Sequence, residues 1–410
     1  MRDGAAALFL GMLATACAPS SGPSSGSSAS SSSGASTSAL VTSARAVDGG
    51  PPPPSAALPP PSASARAVAS PTSPQELDNA VRFELDDAGW SAIVLESAAD
   101  AALARPAILV SSSGGAVERL TLPFSSAGDL KGSPRLFDAG LGVRRFIVAE
   151  GKLPNMQLRV WEPRGYVGDP VEGTFPLVGG AAITKRQAIA VMGKLDRRGW
   201  VESANATRAA RHRDGVWSIV DLPAPPEKTW VDCRWDATAA PAADFILLAQ
   251  MCVAPKHPRA YALYRLDAGS DTFEPVPFDN DLFTGPDPAR GMFGVEADGT
   301  IDVGSQNLGK DDGEMELARL RPGKSKWEIV RVKIPTRLAT TACAAGDRIV
   351  VTDAGTDVRE SSDGGRTFAA SAPLSNDGGA LADCNASSIA FKVYDRGPRR
   401  SHMVIRPWSR

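Results

Sequence analysis

Residues 214–223 read DGVWSIVDLP: a turn dipeptide, an aromatic residue within an alternating strand, and a proline that ends the strand. Asp-Gly supplies the positive φ that a tight hairpin turn requires. Apolar residues at a period of two are typical of a half-buried β-strand. The stretch therefore predicts a hairpin turn followed by a short strand. The same form returns at residues 270–278, 326–335 and 365–373.

The spacing of these segments predicts a repeat architecture. Their aromatic residues are 56, 54 and 41 residues apart, and Trp408 follows the last of them by 40 residues. Repeats of about 40 to 55 residues with several strands each are typical of β-propeller blades. Trp161 and residues 122–124 are weaker copies of the mark, which allows six or seven blades; we expect seven. A large β-sandwich is the alternative all-β fold, but it is not expected to repeat at blade length.

The rest of residues 75–410 also has the sequence pattern of an all-β domain. Short apolar stretches rich in β-branched and aromatic residues are bounded by Gly, Asp, Pro or Ser, which predicts strands. They lie at residues 108–110, 146–148, 189–191, 245–248, 349–351 and 389–391. Asp-Gly turns between them, at 214, 298, 312, 363 and 377, favour antiparallel meanders. Residues 98–104 are the one stretch that predicts a helical turn or two.

One of the repeated turns carries a fuller motif. In such a turn a short carboxylate can accept backbone N–H groups, glycine takes a φ that other residues avoid, and an aromatic ring packs between strands. The residues that fit the pattern S-x-D-x-G-x-T-[WF] are Ser361, Asp363, Gly365, Thr367 and Phe368. This motif resembles the Asp-box, or BNR repeat, of sialidases and other propellers. The resemblance implies a propeller fold and a structural role for these five residues, because family Asp-boxes lie away from the active face.

The resemblance to sialidases does not extend to their chemistry. Those enzymes bind the substrate carboxylate with three arginines and use a tyrosine nucleophile paired with a glutamate. The Arg-Ile-Pro that would carry the first arginine is absent, and Arg135 within Ser-Pro-Arg-Leu is a poor substitute. Only three histidines, His212, His257 and His402, are available for other catalytic sets. We predict no catalytic residues, with a divergent Asp-box glycoside hydrolase as the alternative.

Residues 1–16 predict a secretory signal peptide. A charged start is followed by an apolar run at 5–13 and by small residues before Cys17. The run is about half of the roughly 20 residues that a membrane-spanning helix needs. The segment resembles a bacterial lipobox, which implies that the Cys17 thiol carries a diacylglycerol. Ordinary cleavage that leaves a free Cys17 is the alternative.

Residues 17–74 predict a disordered tether. They are almost entirely Ser, Ala, Pro and Gly, so they bury too little apolar surface to offset the entropy of ordering. The predicted organisation is therefore a signal at 1–16, a tether at 17–74 and a β-propeller domain at 75–410. We expect an outer-membrane or cell-surface lipoprotein, or a periplasmic protein if Cys17 is not lipidated.

Four cysteines follow Cys17, an even number in an exported chain, which favours two disulfides. Three connectivities are possible. We prefer Cys233 with Cys252 inside one blade, and Cys343 with Cys384 at equivalent positions of neighbouring blades. A zinc site is disfavoured because no C-x-x-C spacing is present.

Charge composition limits the partners. Lys and Arg number 44 against 46 Asp and Glu, so the chain lacks the basic footprint that nucleic-acid binding needs. The acidic stretches 279–281 and 311–314 are predicted to be solvated turns rather than calcium loops. We expect no cofactor and no metal, and a monomer held at the membrane by its lipid anchor. The predicted function is a binding or assembly surface at the bacterial cell envelope, with an unidentified envelope protein or glycan as partner.

Overall fold

The computed structural model describes the chain from Leu77 to Ser409 with gaps. The described residues are 77, 80–86, 89–95, 106–113, 116–125, 132–152, 155–171, 177–195, 201–202, 206–240, 244–257, 260–283, 292–308, 313–334, 340–353, 357–371, 379–394 and 401–409. The predicted signal peptide, Cys17, the tether and the helical stretch 98–104 lie outside these residues. No described helix is long and apolar enough to cross a bilayer.

The described strands form the seven blades of a β-propeller, which confirms the all-β prediction and the preference for seven blades over six. Each blade is an antiparallel meander. Blades 1 and 2 are joined edge to edge by a single parallel bridge between Ser125 and Arg135. A 3-10 turn at Asn280–Leu282 lies between blades 4 and 5.

The strands of the first four blades have the following bounds. Blade 1 holds β1 Ala80–Asp86, β2 Gly89–Leu95, β3 Pro106–Ser113 and β4 Ala116–Ser125; blade 2 holds β5 Gly132–Gly140, β6 Arg145–Lys152, β7 Asn155–Glu162 and β8 Gly165–Val167; blade 3 holds β9 Leu177–Ile183, β10 Gln187–Leu195, β11 Val201–Glu202, β12 Arg208–Arg213 and β13 Val216–Asp221; blade 4 holds β14 Val231–Ala240, β15 Phe245–Val253, β16 Ala260–Asp267 and β17 Glu274–Val276.

The last three blades follow the same plan. Blade 5 holds β18 Met292–Val295, β19 Ile301–Leu308, β20 Gly313–Leu320 and β21 Glu328–Ile334; blade 6 holds β22 Thr340–Ala345, β23 Arg348–Asp353, β24 Val358–Ser361 and β25 Ala369–Ser371; blade 7 holds β26 Gly379–Cys384, β27 Ser388–Tyr394 and β28 Ser401–Pro407. All six apolar stretches predicted as strands lie within strands.

The repeated aromatic mark corresponds to the turn between the third and fourth strands. Trp217, Phe273, Trp327 and Phe368 each lie in or just before the fourth strand of blades 3 to 6, and Trp408 follows the third strand of blade 7. The sequence repeat therefore has a geometric cause, because one aromatic ring packs at the same corner of successive blades.

The first strand of each blade is the innermost. Contacts between neighbouring first strands join β5 to β9, β9 to β14, β14 to β18, β22 to β26 and β26 to β1. A Cβ at Gly180 of β9 would lie 2.9 Å from the Asp236 Cα of β14, so glycine is required at that approach. Successive turns of a meander lie at alternate ends. The turns between strands 1 and 2 and strands 3 and 4 therefore share one face, here called the turn face. The remaining connections share the opposite face, here called the connection face.

The core lies between the blades. The middle strands are buried on both sides; residues 245–250 of β15, for example, are all buried. Ile147 and Val160 of blade 2 pack against Ala188 and Ile183 of blade 3. Blades 7 and 1 pack in the same way, through a cluster that includes Ala92, Val110, Ala390 and Met403. Since each blade covers its neighbour, apolar burial stabilises the ring as a whole.

Candidate functional site

The predicted 361–368 turn is held by its own side chains. Asp363 Oδ1 accepts the Thr367 backbone N–H at 3.0 Å, and Asp363 Oδ2 accepts the Thr367 hydroxyl at 2.7 Å. The Ser361 hydroxyl donates to Asp363 Oδ1 at 2.8 Å and accepts the Gly365 N–H at 2.9 Å. These donors hold the pKa of Asp363 well below its usual range.

The same turn is fitted against blade 5. Gly365 has φ 86°, and a Cβ there would lie 2.3 Å from a methyl carbon of Val330. Phe368 packs against the cluster that includes Met315, Leu317 and Val330. The arrangement positions a corner of blade 6, where the Gly364 N–H also donates to the Asp347 carbonyl at 2.9 Å.

The four cysteines form two disulfides, with the pairing that the sequence favoured. Cys233–Cys252 joins β14 to β15 inside blade 4, and Cys343–Cys384 joins the innermost strands of blades 6 and 7. Disulfides persist in oxidising compartments, so they indicate an exported protein.

Arginines buried on the turn face link neighbouring blades. Arg145 donates to Glu162 at 2.9 Å and to the Thr184 carbonyl of blade 3 at 2.7 Å. Arg211 of blade 3 donates to the Ser270 carbonyl of blade 4 at 2.6 Å. Charge-assisted bonds to backbone carbonyls are strong when water is excluded.

Arg319 of blade 5 has the most buried guanidinium of this group. It pairs with Glu296, binds Asp302 at 3.0 Å and donates to the Gly346 carbonyl of blade 6 at 2.7 Å. Burial raises the pKa of Asp302 well above its usual value, and the charge of Glu296 raises it further. Burial opposes the charge on Arg319, but the two carboxylates outweigh it and raise the pKa of that guanidinium.

The three histidines lie in different blades. His212 is buried beside Arg145, and its ring meets Trp217 edge-on with centroids 5.1 Å apart. Burial, followed by the charge of Arg145, lowers the pKa of His212 to about 4, so this imidazole is neutral. His257 of blade 4 contacts Asp281 at 3.3 Å, and His402 lies on β28. The structure therefore does not bring the histidines together.

The carboxylates on innermost strands include Glu84 on β1, Asp138 on β5, Asp236 on β14 and Asp383 on β26. Burial raises the pKa of Asp138, although the paired Arg82 lowers it. Burial also raises the pKa of Asp236, and the charge of Asp138 adds to the rise.

Two of these carboxylates join blades. Glu84 accepts the backbone N–H groups of Leu141 and Gly142 in blade 2, at 2.8 and 3.1 Å. Asp383 of blade 7 accepts the Leu85 N–H of blade 1 at 2.6 Å. Glu84 therefore links blade 2 to blade 1, and Asp383 links blade 1 to blade 7 where the ring closes.

A tyrosine and a glutamate do pair, but at the rim. Tyr166 on the outermost strand β8 bonds Glu150, and Arg159 lies 5.1 Å over its ring. Burial and the charge of Glu150 raise the pKa of Tyr166. The buried Arg145 of the same blade binds Glu162 and the Thr184 carbonyl instead, and Arg211 and Arg319 lie in other blades. The arrangement differs from the sialidase set of three arginines around a tyrosine.

The acidic stretch 279–281 is a turn. Asn280 accepts the Tyr261 N–H at 2.7 Å and donates to the Tyr261 carbonyl at 3.2 Å, so its amide side chain pairs with the backbone of β16. Asp279 accepts the Asp281 N–H at 2.9 Å. In the other acidic stretch, residues 311–312 lie outside the residues that the structure describes. No group of three or more potential ligands able to hold a metal ion is found in the described part of the chain.

The connection face of blade 4 carries an exposed apolar pair. Val231 and Val253 are cross-strand partners, 52% and 46% exposed. Val231 lies two residues before Cys233 on β14, and Val253 lies one residue after Cys252 on β15. Asp232 has φ 51° in a bulge that the Cys233–Cys252 bridge closes. Strand pair and disulfide together fix these two valines on a rigid support.

Sequence reasoning missed this pair. The nearby Trp235 is buried in the core, where its indole donates to the Ala206 carbonyl at 3.0 Å. The available signal was the order Val-Asp-Cys in one strand and Cys-Val in the next. Once the two cysteines pair, the adjoining valines become cross-strand neighbours near the strand ends.

No family model matches the chain, and no curated protein matches it either. Solved structures are similar in fold. A structure from a study of two prolyl endopeptidases shares 12% identity at a TM-score of 0.50, over 80% of this chain and 48% of that one. The β-propeller domain of the Trilobed protease from Pyrococcus furiosus shares 7% at 0.44, over 80% and 98%. The polysaccharide lyase Uly1 shares 10% at 0.45, over 80% and 90%. At such identities the likeness shows the β-propeller fold alone.

Proposed function

We propose that this chain is a non-catalytic β-propeller, tethered to the bacterial envelope through a lipid on Cys17, whose connection face binds an envelope protein. The exposed pair Val231 and Val253 carries the proposal. Single exposed apolar side chains are common and need no explanation. Two adjacent ones on a disulfide-locked strand pair form a preorganised contact, which loses little entropy on binding.

A protein is favoured over a glycan as the partner. Sugar-binding faces present exposed aromatic rings, whereas Trp235 is buried and Trp230 is partly covered by the core of blades 3 and 4. Branched aliphatic side chains such as Val231 and Val253 complement apolar side chains instead. The polar groups around them are engaged locally; Thr229, for example, bonds Glu227 at 3.2 Å.

Site-specific photo-crosslinking in cells tests the docking face. A photoreactive residue at Val231 or Val253 is expected to give one discrete heavier product, and one at Lys324 on the turn face is not. The double variant Val231→Glu, Val253→Glu should fold with unchanged melting temperature and lose co-purification of that partner. Retained co-purification would contradict the proposed face, and turnover of sialosides or polysaccharides by the purified chain would contradict the non-catalytic role.

Metabolic labelling with palmitate tests the anchor. Wild-type protein is expected to incorporate the label, and Cys17→Ala is expected to lose it. Equal labelling of both proteins would place the lipid elsewhere and end the proposal for Cys17.

A further inference from the structure

The outermost strand of blade 3, β13, presents an open hydrogen-bonding edge. Asp214 and Gly215 have φ 52° and 83°, so they form a two-residue hairpin turn between β12 and β13. The pair Arg213–Val216 beside such a turn is hydrogen-bonded, and bonded pairs then alternate. The Leu222 N–H donates to the Thr207 carbonyl at 2.8 Å, which agrees with this alternation of bonded and non-bonded pairs.

This alternation decides which backbone groups of β13 face away from β12. Val216, Ser218 and Val220 direct their backbone groups to β12. Those of Trp217, Ile219 and Asp221 point away from the sheet, where no further strand pairs in the described part of the chain. Unpaired N–H and C=O groups in a row form a template for another strand.

Other outer strands are protected in ways that β13 is not. Proteins guard sheet edges with charge, proline or short length. The protecting features are Glu118, Arg119 and Pro123 in β4, Pro275 in β17, Arg331 and Lys333 in β21, Pro407 in β28, and a length of three residues in β8 and β25. By contrast, β13 is six residues long and has its one charge at its last position.

β13 exposes two large apolar side chains, together with Ser218 and Asp221. Val216 is 67% exposed and Ile219 is 44% exposed, one on each side of the strand. β-branched residues are the types that stabilise cross-strand pairs. A strand added beside β13 would therefore gain side-chain contacts on both faces as well as backbone hydrogen bonds.

Carboxylates mark both ends of the edge. Asp214 and Asp221 have side chains 79% and 87% exposed, more than those of the neighbouring Arg213 and Arg208 that contact them at 3.7 and 3.4 Å. Each end therefore presents a carboxylate that is more accessible than the arginine paired with it. A bound strand would be favoured by basic residues flanking its middle.

A second copy of this chain is a poor occupant. A stable interface buries roughly 1,200 Å² or more. Pairing β13 with the same strand of a second copy would cover only six residues per chain, which bury far less area than that. Strand addition of a flexible peptide has a different balance, since backbone hydrogen bonds supply the affinity and alternate side chains the specificity.

We propose that β13 binds an extended polypeptide segment by strand addition, the segment carrying uncharged apolar residues at alternate central positions and basic residues at its ends. The surface lies at the rim of blade 3 and is separate from Val231 and Val253, so it stands or falls independently of the proposed function.

Amide hydrogen exchange in the full chain, followed by NMR, tests the proposal. The probe is a capped decapeptide of alternating threonine and valine between terminal lysines, with a proline-interrupted version as control. The outward amides of Trp217, Ile219 and Asp221 should slow by at least about tenfold on adding the probe. The inward amide of Ser218 should be unchanged, and the interrupted peptide should have no effect.

Two variants sharpen the result. Ile219→Pro removes an outward N–H and leaves the ladder to β12 intact, while Ile219→Lys places a charge on the edge. Both should abolish the protection, whereas Ala370→Lys on the outer strand of blade 6 should not. Binding unaffected by both Ile219 variants would overturn the proposal. So would outward amides already protected in the free protein, or protected through a concentration-dependent dimer.

Discussion

Asp383 shows how a single buried carboxyl can report on closure of the ring. Its Oδ2 accepts the Leu85 N–H of blade 1 at 2.6 Å, and its Oδ1 accepts the adjacent Cys384 N–H at 2.8 Å. Burial raises the pKa of Asp383 to about 7; the Leu85 donor lowers it, and the charge of Glu84 raises it. Near neutral pH this group therefore titrates at the junction of the first and last blades.

The raised pKa predicts a pH dependence of stability. A carboxyl with a folded-state pKa near 7 and an unfolded value of about 3.9 favours the folded state fully below pH 4, and that contribution is lost as pH rises through 7. Between pH 5 and pH 8 we expect the unfolding free energy to fall by about 2 to 3 kcal/mol on this account. Asp383→Asn should lack that fall, as measured by denaturant unfolding at several pH values.

A second titrating group and one control variant bear on this comparison. His212, with its pKa of about 4, contributes the opposite slope below pH 6.5, because its unfolded state binds more protons there. It is present in both proteins and cancels. Asp221→Asn, at an exposed carboxylate, should keep the wild-type profile. Parallel profiles for Asp383→Asn and wild type would show that this carboxyl does not titrate as described.

At the scale of single residues, the sequence predicts contacts between residues that are close together in the chain. Asp363 and its donors lie within seven residues of one another, so the motif alone indicated the turn that they form. Asp383 and Leu85 are separated by 298 positions. No spacing in the chain pairs them, because only closure of the propeller brings them together.

At the scale of elements, an arginine near the end of the third strand recurs through the blades. The set is Arg211 in β12, Arg265 in β16, Arg319 in β20 and Arg406 in β28. Arg406 reaches back to Glu360 of blade 6 at 2.5 Å, whereas Arg265 binds Asp267 of its own strand at 2.7 Å. The repeat thus supplies one position that individual blades use for different neighbours.

Among these arginines, we expect Arg319 to contribute most to stability, and Arg319→Met tests this. The change leaves Glu296 and Asp302 buried without their countercharge, and breaking a buried pair in this way costs about 3 to 5 kcal/mol. Arg321→Met is the matched control. Its partners Asp347 and Glu328 are exposed, so the expected loss is below about 1 kcal/mol. Denaturant unfolding measures both.

A compensating variant distinguishes charge from packing. Adding Glu296→Gln and Asp302→Asn to Arg319→Met removes the stranded carboxylates and should recover a large part of the loss. Equal losses for Arg319→Met and Arg321→Met would contradict the assignment. Sequence reasoning indicated the hairpins of blade 5 but none of these pairs, since the partners lie on different strands or on different blades.

For the whole molecule, the question is what closes seven blades into a ring. The period of the aromatic mark predicted the blade number, because each blade repeats one corner. It could not predict the closure, where the final strands meet the first. There β26 is held on both sides: Cys384 bridges to Cys343 of blade 6, and the preceding Asp383 binds Leu85 of blade 1. Lys392 of β27 adds a bond to the Ala80 carbonyl at 3.2 Å.

The position of the Cys343–Cys384 bridge predicts how the ring opens. The double variant Cys343→Ser, Cys384→Ser should lose about 2 to 4 kcal/mol of stability, because the unfolded chain regains the freedom of a long loop. Since this bridge joins two blades, its loss should also let blade 7 separate before the rest unfolds. Native-state hydrogen exchange should then show β26 to β28 opening at lower free energy than β15.

The control is the double variant Cys233→Ser, Cys252→Ser inside blade 4. It should lower stability while blade 7 still exchanges only through global unfolding. The same exchange pattern in both double variants would mean that the ring does not open at blade 7.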